Sequence, residues 1–209
     1  MNTLQSDLGR LLLEPALPEE LPVVMGILDE CAAWLHGRGI AQWALPQPPH
    51  EWEKMRRQIA LGHVTLARLE ADRSLVGTLR IEWEDRFWDD YSDVAGYVHA
   101  LAIRNHVRGH GLGVQFLDWA QQQIADRGRK YIRLDCWKEN APLRRYYESL
   151  GFQYRGDFTD GKWIGALYEK EVQERFPTGL NPRASGVQAP ACAGEEQNSS
   201  ARAGGKLPF

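Results

Sequence analysis

The sequence predicts an α/β fold in which one mixed β-sheet is covered by helices. The first observation is the order of segments along the chain: a strand, two helices, three strands, a helix, a strand, a helix and two strands. The second is composition, because 43% hydrophobic and 25% charged residues are close to the average of a soluble domain. A chain of 209 residues is long enough to bury one substantial core.

The amino-terminal half supplies the first strand, two helices and a hairpin. Residues 11–13 are an apolar run ended by prolines, which predicts a short strand. Two glutamates then suit the first turn of a helix, whose apolar positions continue at helical spacing to Leu35. A proline-rich loop follows, and a second helix is predicted over residues 51–61. Residues 64–69 and 75–84 alternate as the strands of a hairpin.

The carboxy-terminal half alternates strands with helices. Residues 95–103 predict a strand that leads through a glycine-rich turn into a helix reaching about Arg127. Residues 131–137 predict the next strand. The helix over residues 140–150 starts at an asparagine suited to an N-cap and ends before a glycine. The last two strands are predicted near residues 152–155 and 163–169.

The predicted domain spans residues 10–175, between a flexible leader over residues 1–9 and a disordered tail. The tail, residues 176–209, is rich in Gly, Pro, Ala and Ser and has no periodicity. No apolar run has the length of a membrane span, and no signal-peptide pattern is present. The net charge of -3 argues against nucleic-acid binding. The three cysteines are Cys31, Cys136 and Cys192. Their spacing is not that of metal ligands, so we expect no metal. We expect them to be free thiols, which predicts a cytoplasmic protein.

The segment from Leu101 to Gly113 has the most specific pattern in the chain. Gly109, Gly111 and Gly113 allow a tight turn and a close approach to a ligand. The first turn of the following helix offers unpaired N–H groups and a partial positive charge. Arg108 adds a fixed charge with several donors. The segment therefore predicts an anion site suited to a pyrophosphate.

Two common phosphate-binding patterns do not fit this segment. The dinucleotide pattern G-x-G-x-x-G fails because Val114 or Phe116 occupies the third glycine position, which disfavours a nicotinamide-dependent oxidoreductase. The P-loop pattern fails because no G-K-[ST] follows. The pattern R-x-x-G-x-G, from Arg108 to Gly113, resembles the acetyl-CoA signature of the GNAT superfamily of N-acetyltransferases.

A second block carries the same resemblance. The run N-A-P-L-R-R-Y-Y-E-S-L-G-F, from Asn140 to Phe152, is similar to the family segment that ends in Y-E-x-L-G-F. The resemblance spans roughly residues 10–170 and implies the GNAT fold. In that fold a mixed, mostly antiparallel central sheet has helices on both faces, and it splays between its fourth and fifth strands to admit the pantetheine arm of acetyl-CoA.

The resemblance also implies a cofactor site and a proton donor. Tyr147 occupies the tyrosine position of the family and is expected to protonate the leaving thiolate. Tyr146 is the competing hydroxyl, and core packing is the alternative for Tyr147. Asn140 is expected to cap its helix and to touch the pantetheine arm. The backbone N–H groups that hold the acetyl carbonyl are expected at Leu101, Ala102 and Ile103, and the phosphates on Arg108, Gly109, His110, Gly111, Leu112 and Gly113.

His99 is the candidate general base. The run from Tyr97 to Ile103 is similar to the strand of arylalkylamine N-acetyltransferases, where an H-A-L-A-V sequence contributes a histidine to proton relay. Neutral imidazole suits this role near neutral pH. The alternatives are a buried structural histidine, or Glu82 or Glu84 acting through water. Cys136 could instead form an acetyl-cysteine intermediate, but direct attack in a ternary complex is preferred because buried cysteines are commonly inert.

The acceptor is expected to be a primary amine on a small cationic molecule. Residues 82–93 hold six carboxylates and four aromatic side chains, which would attract a cation; a solvated hairpin loop is the alternative. The expected acceptor-site residues are Trp34, Gln42, Trp43, Glu82 and Glu84, although the two tryptophans could simply cap the core. A protein N-terminus or lysine remains an alternative acceptor, and a non-catalytic CoA sensor an alternative function. The protein is expected to be a monomer or homodimer.

Overall fold

The computed structural model describes residues 2–88 and 93–172. Their helices are α1 (Leu21–His36), α2 (Pro49–Ala60), α3 (Leu112–Asp126) and α4 (Ala141–Ser149). Their strands are β1 (Thr3–Ser6), β2 (Gly9–Pro15), β3 (Val64–Leu69), β4 (Leu75–Glu82), β5 (Ala95–Ile103), β6 (Tyr131–Trp137), β7 (Gln153–Asp160) and β8 (Trp163–Glu171). The strands form one sheet in the order β1-β2-β3-β4-β5-β6-β8-β7.

The sheet opens in its centre, between β5 and β6. These two strands form the parallel pair of the sheet, and every other neighbouring pair is antiparallel. Their pairing ends at Val98 opposite Leu134, although β5 continues to Ile103 and β6 to Trp137. The predicted splay and the mixed, mostly antiparallel sheet are therefore confirmed. The splayed strands are the fifth and sixth here because β1 adds a strand at the sheet edge.

A β-bulge directs β5 away from β6. Thr78 pairs with Ala102 and Arg80 pairs with His99, so two residues of β5 oppose one residue of β4. Ala100, inside the bulge, has a left-handed φ of 49°. A bulge bends its strand and increases the local twist. The opening therefore begins at the bulge, just after His99.

Helices cover both faces, as the sequence predicts. On one face, α1 and α2 pack on the sheet through a core that includes Met25, Leu35 and Leu66. On the other face, α3 and α4 pack through a core that includes Phe116 and Tyr147. Both layers are needed because each face of the central strands is apolar.

Two expectations change, one in the leader and one at a cysteine. Within the expected flexible leader, Thr3–Ser6 forms β1 and pairs with β2, so the expectation is wrong for those residues. Cys31 is disulfide-bonded, whereas Cys136 is a free, buried cysteine. The expected tail, residues 176–209, and Cys192 lie outside the described residues. In the described part of the chain, no helix has the length and apolar character needed to cross a membrane.

Gly77 allows β4 to lie close to the bulged part of β5. A Cβ atom at Gly77 would lie 2.4 Å from the carbonyl oxygen of Ala102. We expect Gly77→Ala to lower the free energy of unfolding by about 2 kcal/mol, because rigid backbone must move to relieve the clash. Gly26, at an exposed position of α1, is the matched control, since a Cβ there meets nothing within 4 Å.

Urea denaturation measures both variants. Gly26→Ala should raise the free energy of unfolding by roughly 0.5–1 kcal/mol through helix propensity. Equal stability of Gly77→Ala and the wild type would show that β4 and β5 can separate without cost.

Candidate active site

The glycine-rich loop forms an open cradle at the start of α3. Gly109 and Gly111 have φ values of 86° and 66°, which few other residues adopt, and Gly111 is the N-cap of α3. A Cβ atom at either glycine would meet nothing within 4 Å, so the loop surface is unobstructed. On the strand side, Glu30 of α1 anchors the loop by accepting from the Asn105 amide at 2.6 Å and pairing with Arg104 at 2.9 Å.

Arg108 carries donors that the protein does not satisfy. All three guanidinium nitrogens of Arg108 are buried and have no hydrogen-bond partner among the described residues. The guanidinium carbon lies 3.8 Å from the centroid of the Trp34 ring, and that of Arg38 lies 3.7 Å from the same ring. Burial, with the nearby charge of Arg38, lowers the pKa of Arg108 to about 10. An anion beside Arg108 would satisfy these donors, which fits the phosphates of acetyl-CoA.

Asn140 connects the predicted cofactor and acceptor sides. Its side-chain oxygen accepts from the Leu143 amide at 3.3 Å and so caps α4. Its side-chain nitrogen donates to Gln42 Oε1 at 2.7 Å, which joins the α1–α2 loop to α4. Asn140 is fully buried. The structure therefore brings Gln42 to the N-terminus of α4, in direct contact with a residue expected on the cofactor side.

His99 lies between two carboxylates from opposite sides of the opening. Its Nδ1 is 3.5 Å from Asp135 Oδ1 on β6, and its Nε2 is 3.3 Å from Asp85 Oδ2 in the β4–β5 loop. Oε1 of Glu82 lies 3.9 Å from the same Nε2. The ligand atoms of Asp85, His99 and Asp135 are close enough to hold a metal ion. The two aspartates contact different ring nitrogens, however, which is the arrangement of an imidazolium ion pair.

A second layer of contacts fixes Glu82 beside His99. Arg80 Nε lies 2.6 Å from Glu82 Oε1, and Gln58 of α2 donates to Oε2 at 2.9 Å. The side-chain oxygen of Gln58 in turn accepts from His63 Nδ1 at 2.7 Å. These contacts hold the carboxylate between two strands and a helix.

The two aspartates raise the pKa of His99 despite its burial. Burial lowers the pKa, but the hydrogen bonds that His99 donates to Asp135 and Asp85 outweigh it, so the pKa lies above the ordinary 6.5. Burial raises the pKa of Asp85, yet the contact with His99 dominates and the net pKa is lowered. The protonation of His99 is therefore coupled to the charge of Asp85.

Tyr147 is held protonated in the aromatic core below the opening. Its ring packs 5.8 Å from Phe152 and 5.9 Å from Tyr168, measured between centroids. Burial raises its pKa well above the ordinary 10, and the neighbouring Cys136 and Asp135 raise it further. Tyr146 interacts instead with Asp118 of α3, and its buried hydroxyl has no hydrogen-bond partner among the described residues.

Cys136 is poorly suited to nucleophilic attack. Burial, with the negative charge of Asp135, raises the pKa of its thiol to about 12. Only a thiolate is strongly nucleophilic, so the reactive fraction near neutral pH is very small. This favours direct transfer over an acetyl-cysteine intermediate.

The remaining predicted acceptor residues have different surroundings. Trp34 stacks with guanidinium groups at the glycine loop, and Trp43 packs against the α1–α2 core. Glu84 is exposed and makes no hydrogen bond or ion pair with any described residue. Trp88 is buried with Tyr97, so its ring packs inside the protein. Residues 89–92 lie outside the described part of the chain.

Asp85 and Asp135 are absent from the predicted site residues, although both contact His99. Strand alternation on β6 places Asp135 on the same face as Arg133. The parallel register with β5 then brings it beside His99. That register depends on a crossover through α3, which sequence spacing alone does not fix.

Comparison with known proteins identifies the family. A profile of the acetyltransferase (GNAT) family matches residues 29–152. The uncharacterized N-acetyltransferase YesJ of Bacillus subtilis is 30% identical over 162 residues, which cover 76% of this chain and 88% of YesJ.

Solved structures agree with this result. A GNAT-family acetyltransferase from Listeria monocytogenes is 25% identical, with a TM-score of 0.68 over 82% of this chain and 100% of that one. An acetyltransferase from Salmonella typhimurium, solved with its cofactor acetyl-CoA, shares the fold at 16% identity, with a TM-score of 0.55 over 83% of this chain and 98% of that one.

The profile match covers more than half of the chain and includes the opening, the glycine-rich loop and α4. These parts contain the unpaired donors of Arg108 and the contacts of His99 with Asp85 and Asp135. The chain therefore belongs to the acetyltransferase (GNAT) family.

Proposed function

We propose that this enzyme transfers the acetyl group of acetyl-CoA to the primary amine of a small cationic molecule. The supporting observation is the contact between His99 and Asp135 at 3.5 Å, immediately beyond the last β5–β6 pair. A proton-accepting group thus stands at one side of the opening. Tyr147, held protonated by burial, stands at the other side, near Asp135.

The cofactor contacts follow from the loop and the opening. Arg108 and the backbone from Gly109 to Gly113 bind the phosphates. Asn140 is fully buried without ligand, so it contacts the pantetheine arm only when Gln42 moves away from it. The bulged backbone from Leu101 to Ile103 holds the acetyl carbonyl through N–H groups on the side that lacks a strand partner. The acceptor enters from the α1–α2 side, where Gln42 and Glu82 lie.

The proton transfers balance for direct attack. The amine nitrogen forms a bond to the carbonyl carbon, and the carbon–sulfur bond breaks. Of the three protons of the ammonium group, one stays on the amide and one passes to the coupled group of His99, Asp85 and Asp135. The third restores the proton that Tyr147 gives to sulfur.

The cationic acceptor is supported by charge. Glu82, Asp85 and Asp135 surround His99, and among the described residues Arg80 is the other cation within ion-pair distance of this group. With His99 protonated the group carries a net charge of about -1, and with His99 neutral about -2, so a cation is attracted in either state.

We expect Tyr147→Phe to lower kcat by about 100-fold or more, because the thiolate loses its proton donor. The KM for acetyl-CoA should stay within about threefold, since phosphate contacts are unchanged. Free-thiol release with a panel of amines measures both constants. Tyr146→Phe is the matched control and should keep full activity, because its hydroxyl faces α3. Equal losses in the two variants would remove the donor role of Tyr147.

We expect kcat/KM to rise with pH through an apparent pKa above 6.5, because His99 accepts a proton only after losing its own. Asp135→Asn should move this limb to lower pH, since the lost carboxylate no longer stabilises the imidazolium. His99→Gln should abolish the limb. A limb that persists unchanged in His99→Gln would belong to the amine of the acceptor.

We expect 1,4-diaminobutane to have a higher kcat/KM than butylamine, because its second ammonium group meets the carboxylates. Glu82→Gln should reduce this preference by about tenfold, which is the loss of roughly 1.4 kcal/mol of interaction. Glu84→Gln, at an exposed carboxylate outside the cluster, is the control and should retain the preference. The cationic-acceptor proposal fails if Glu82→Gln leaves the ratio of the two substrates unchanged.

A further inference from the structure

The loop between β4 and β5 crosses the sheet instead of turning back directly. It comprises residues 83–94, of which the structure describes 83–88 and 93–94. β7 lies four strands from β4 in the sheet, about 19 Å at the usual spacing of strands. Side chains of the loop nevertheless contact β5, β6 and β7. Residues 83–88 therefore form a strap across the two strands that open.

Phe87 attaches the strap to β7. Its ring stacks on Phe158, with 3.9 Å between the centroids and 24° between the planes. Gly165, the partner of Phe158 on β8, makes room for this ring, because a Cβ atom there would lie 2.3 Å from a ring carbon of Phe158. Arg86 also reaches β7, where it pairs with Asp160 at 2.7 Å, but both side chains are exposed and such pairs contribute little. The aromatic stack is therefore the stronger of the two contacts.

Trp88 attaches the strap to β6. The guanidinium carbon of Arg133 lies 4.0 Å from the centroid of the Trp88 ring. Arg133 is itself held in place, because its Nε donates to Glu169 at 2.7 Å and its Nη1 donates to the hydroxyl of Tyr97 at 3.1 Å. Trp88 is 8% exposed and packs in a buried cluster with Tyr97 and Leu167. The indole ring therefore rests on a fixed cation inside the protein.

Asp85 lies between β4 and these two anchors. Its Oδ1 atom accepts from the backbone amide of Phe87 at 2.9 Å, and its Oδ2 atom lies 3.3 Å from Nε2 of His99. The carbonyl oxygen of Asp85 accepts from the backbone amide of Trp88 at 3.3 Å. The Asp85 side chain is only 7% exposed. Because the anchors hold both its backbone and its carboxylate, Asp85 can leave His99 only if the strap moves.

We propose that Phe87 and Trp88 are positioning residues for acetyl transfer, which hold Asp85 against Nε2 of His99. This role rests on the proposed function, in which His99 receives a proton from the amine. Asp85 and Asp135 contact the two ring nitrogens from different parts of the fold, so together they fix the orientation of the imidazole. Without the anchors, Asp85 moves away and the ring is held from one side.

The other charged side chains that act on His99 and Asp85 do not belong to the strap. They lie on β4, β6 and α2, and they are Glu82, Arg80, Asp135 and Lys54. These elements hold them independently of the two aromatic anchors. Substitution of an anchor should therefore change one contact of the imidazole and leave the others in place.

Imidazole resonances test the anchoring on the full chain without acetyl-CoA. Long-range ¹H–¹⁵N spectra are recorded at one fixed pH on protein labelled with ¹⁵N-histidine, and His99→Gln assigns the signals of His99. Phe87→Leu and Trp88→Leu should each move the Nε2 signal in the direction in which Asp85→Asn moves it. Trp119→Leu, at an equally buried tryptophan of α3, should leave the signal in place. Phe87→Tyr keeps the aromatic stack and should also leave it in place.

Steady-state kinetics with 1,4-diaminobutane test whether the anchors act through Asp85. Phe87→Leu should lower kcat/KM roughly tenfold, because a displaced proton acceptor loses part of its effect, and should keep the KM for acetyl-CoA within about threefold. In the Asp85→Asn background the same substitution should cause no further loss, as expected for residues that act as one unit.

Two results would overturn the proposal. Unmoved His99 signals in Phe87→Leu and Trp88→Leu would show that the anchors do not hold Asp85. A full additional loss of activity on adding Phe87→Leu to Asp85→Asn would show that Phe87 acts through the general fold. Full activity of His99→Gln, with shifted signals in the anchor variants, would instead overturn the proposed base and support the anchoring. Should Trp88→Leu fail to fold, Phe87→Leu, at a half-buried side chain, still decides the outcome.

Discussion

The end of hydrogen bonding between β5 and β6 is the constraint on which the rest of the site depends. Parallel strands satisfy each other's backbone groups only while they stay adjacent, and here they do so for four residue pairs. The bulge at Ala100 then separates them, with Gly77 allowing β4 to follow β5 closely. A ligand with its own amide groups could replace the missing strand contacts, and this is the role that we propose for the pantetheine arm of acetyl-CoA. The strands that open the sheet therefore also present the side chains at its opening.

The proposed mechanism requires Tyr147 to give a proton and His99 to receive one, and the two side chains lie in different surroundings. Tyr147 lies among aromatic rings, where burial disfavours the phenolate and keeps the proton available. His99 is also largely buried, but Asp85 and Asp135 offset the cost of its charge, so its pKa is raised rather than lowered. Asp135 is common to both environments. Its position on β6 connects His99, the proposed proton acceptor, to Tyr147, the proposed proton donor.

Local patterns predicted the parts of the site that are built from consecutive residues. The glycine loop at Arg108 and the helix carrying Tyr147 were recognisable because turns, caps and helical spacing are encoded within a few positions. Asp85 and Asp135 were not recognisable, since their contacts with His99 depend on a bulge and on a parallel register set by α3. β1 was missed for a similar reason: a four-residue edge strand has a weak pattern, and its pairing with β2 stabilises it.

The side chain of Asn140 links the loop that holds Gln42 to the helix that holds Tyr147, the proposed proton donor. One of its atoms caps α4, the helix that carries Tyr147, and the other binds Gln42 of the α1–α2 loop, 98 positions away in the sequence. A cap contributes about 1 kcal/mol to the stability of its helix. Because the same side chain also binds Gln42, the position of α4 and the position of the loop depend on one residue. Because Asn140 is fully buried, neither bond can be exchanged for water without opening the loop. The geometry of Tyr147 and the access of an acceptor past Gln42 are thus physically connected through this amide.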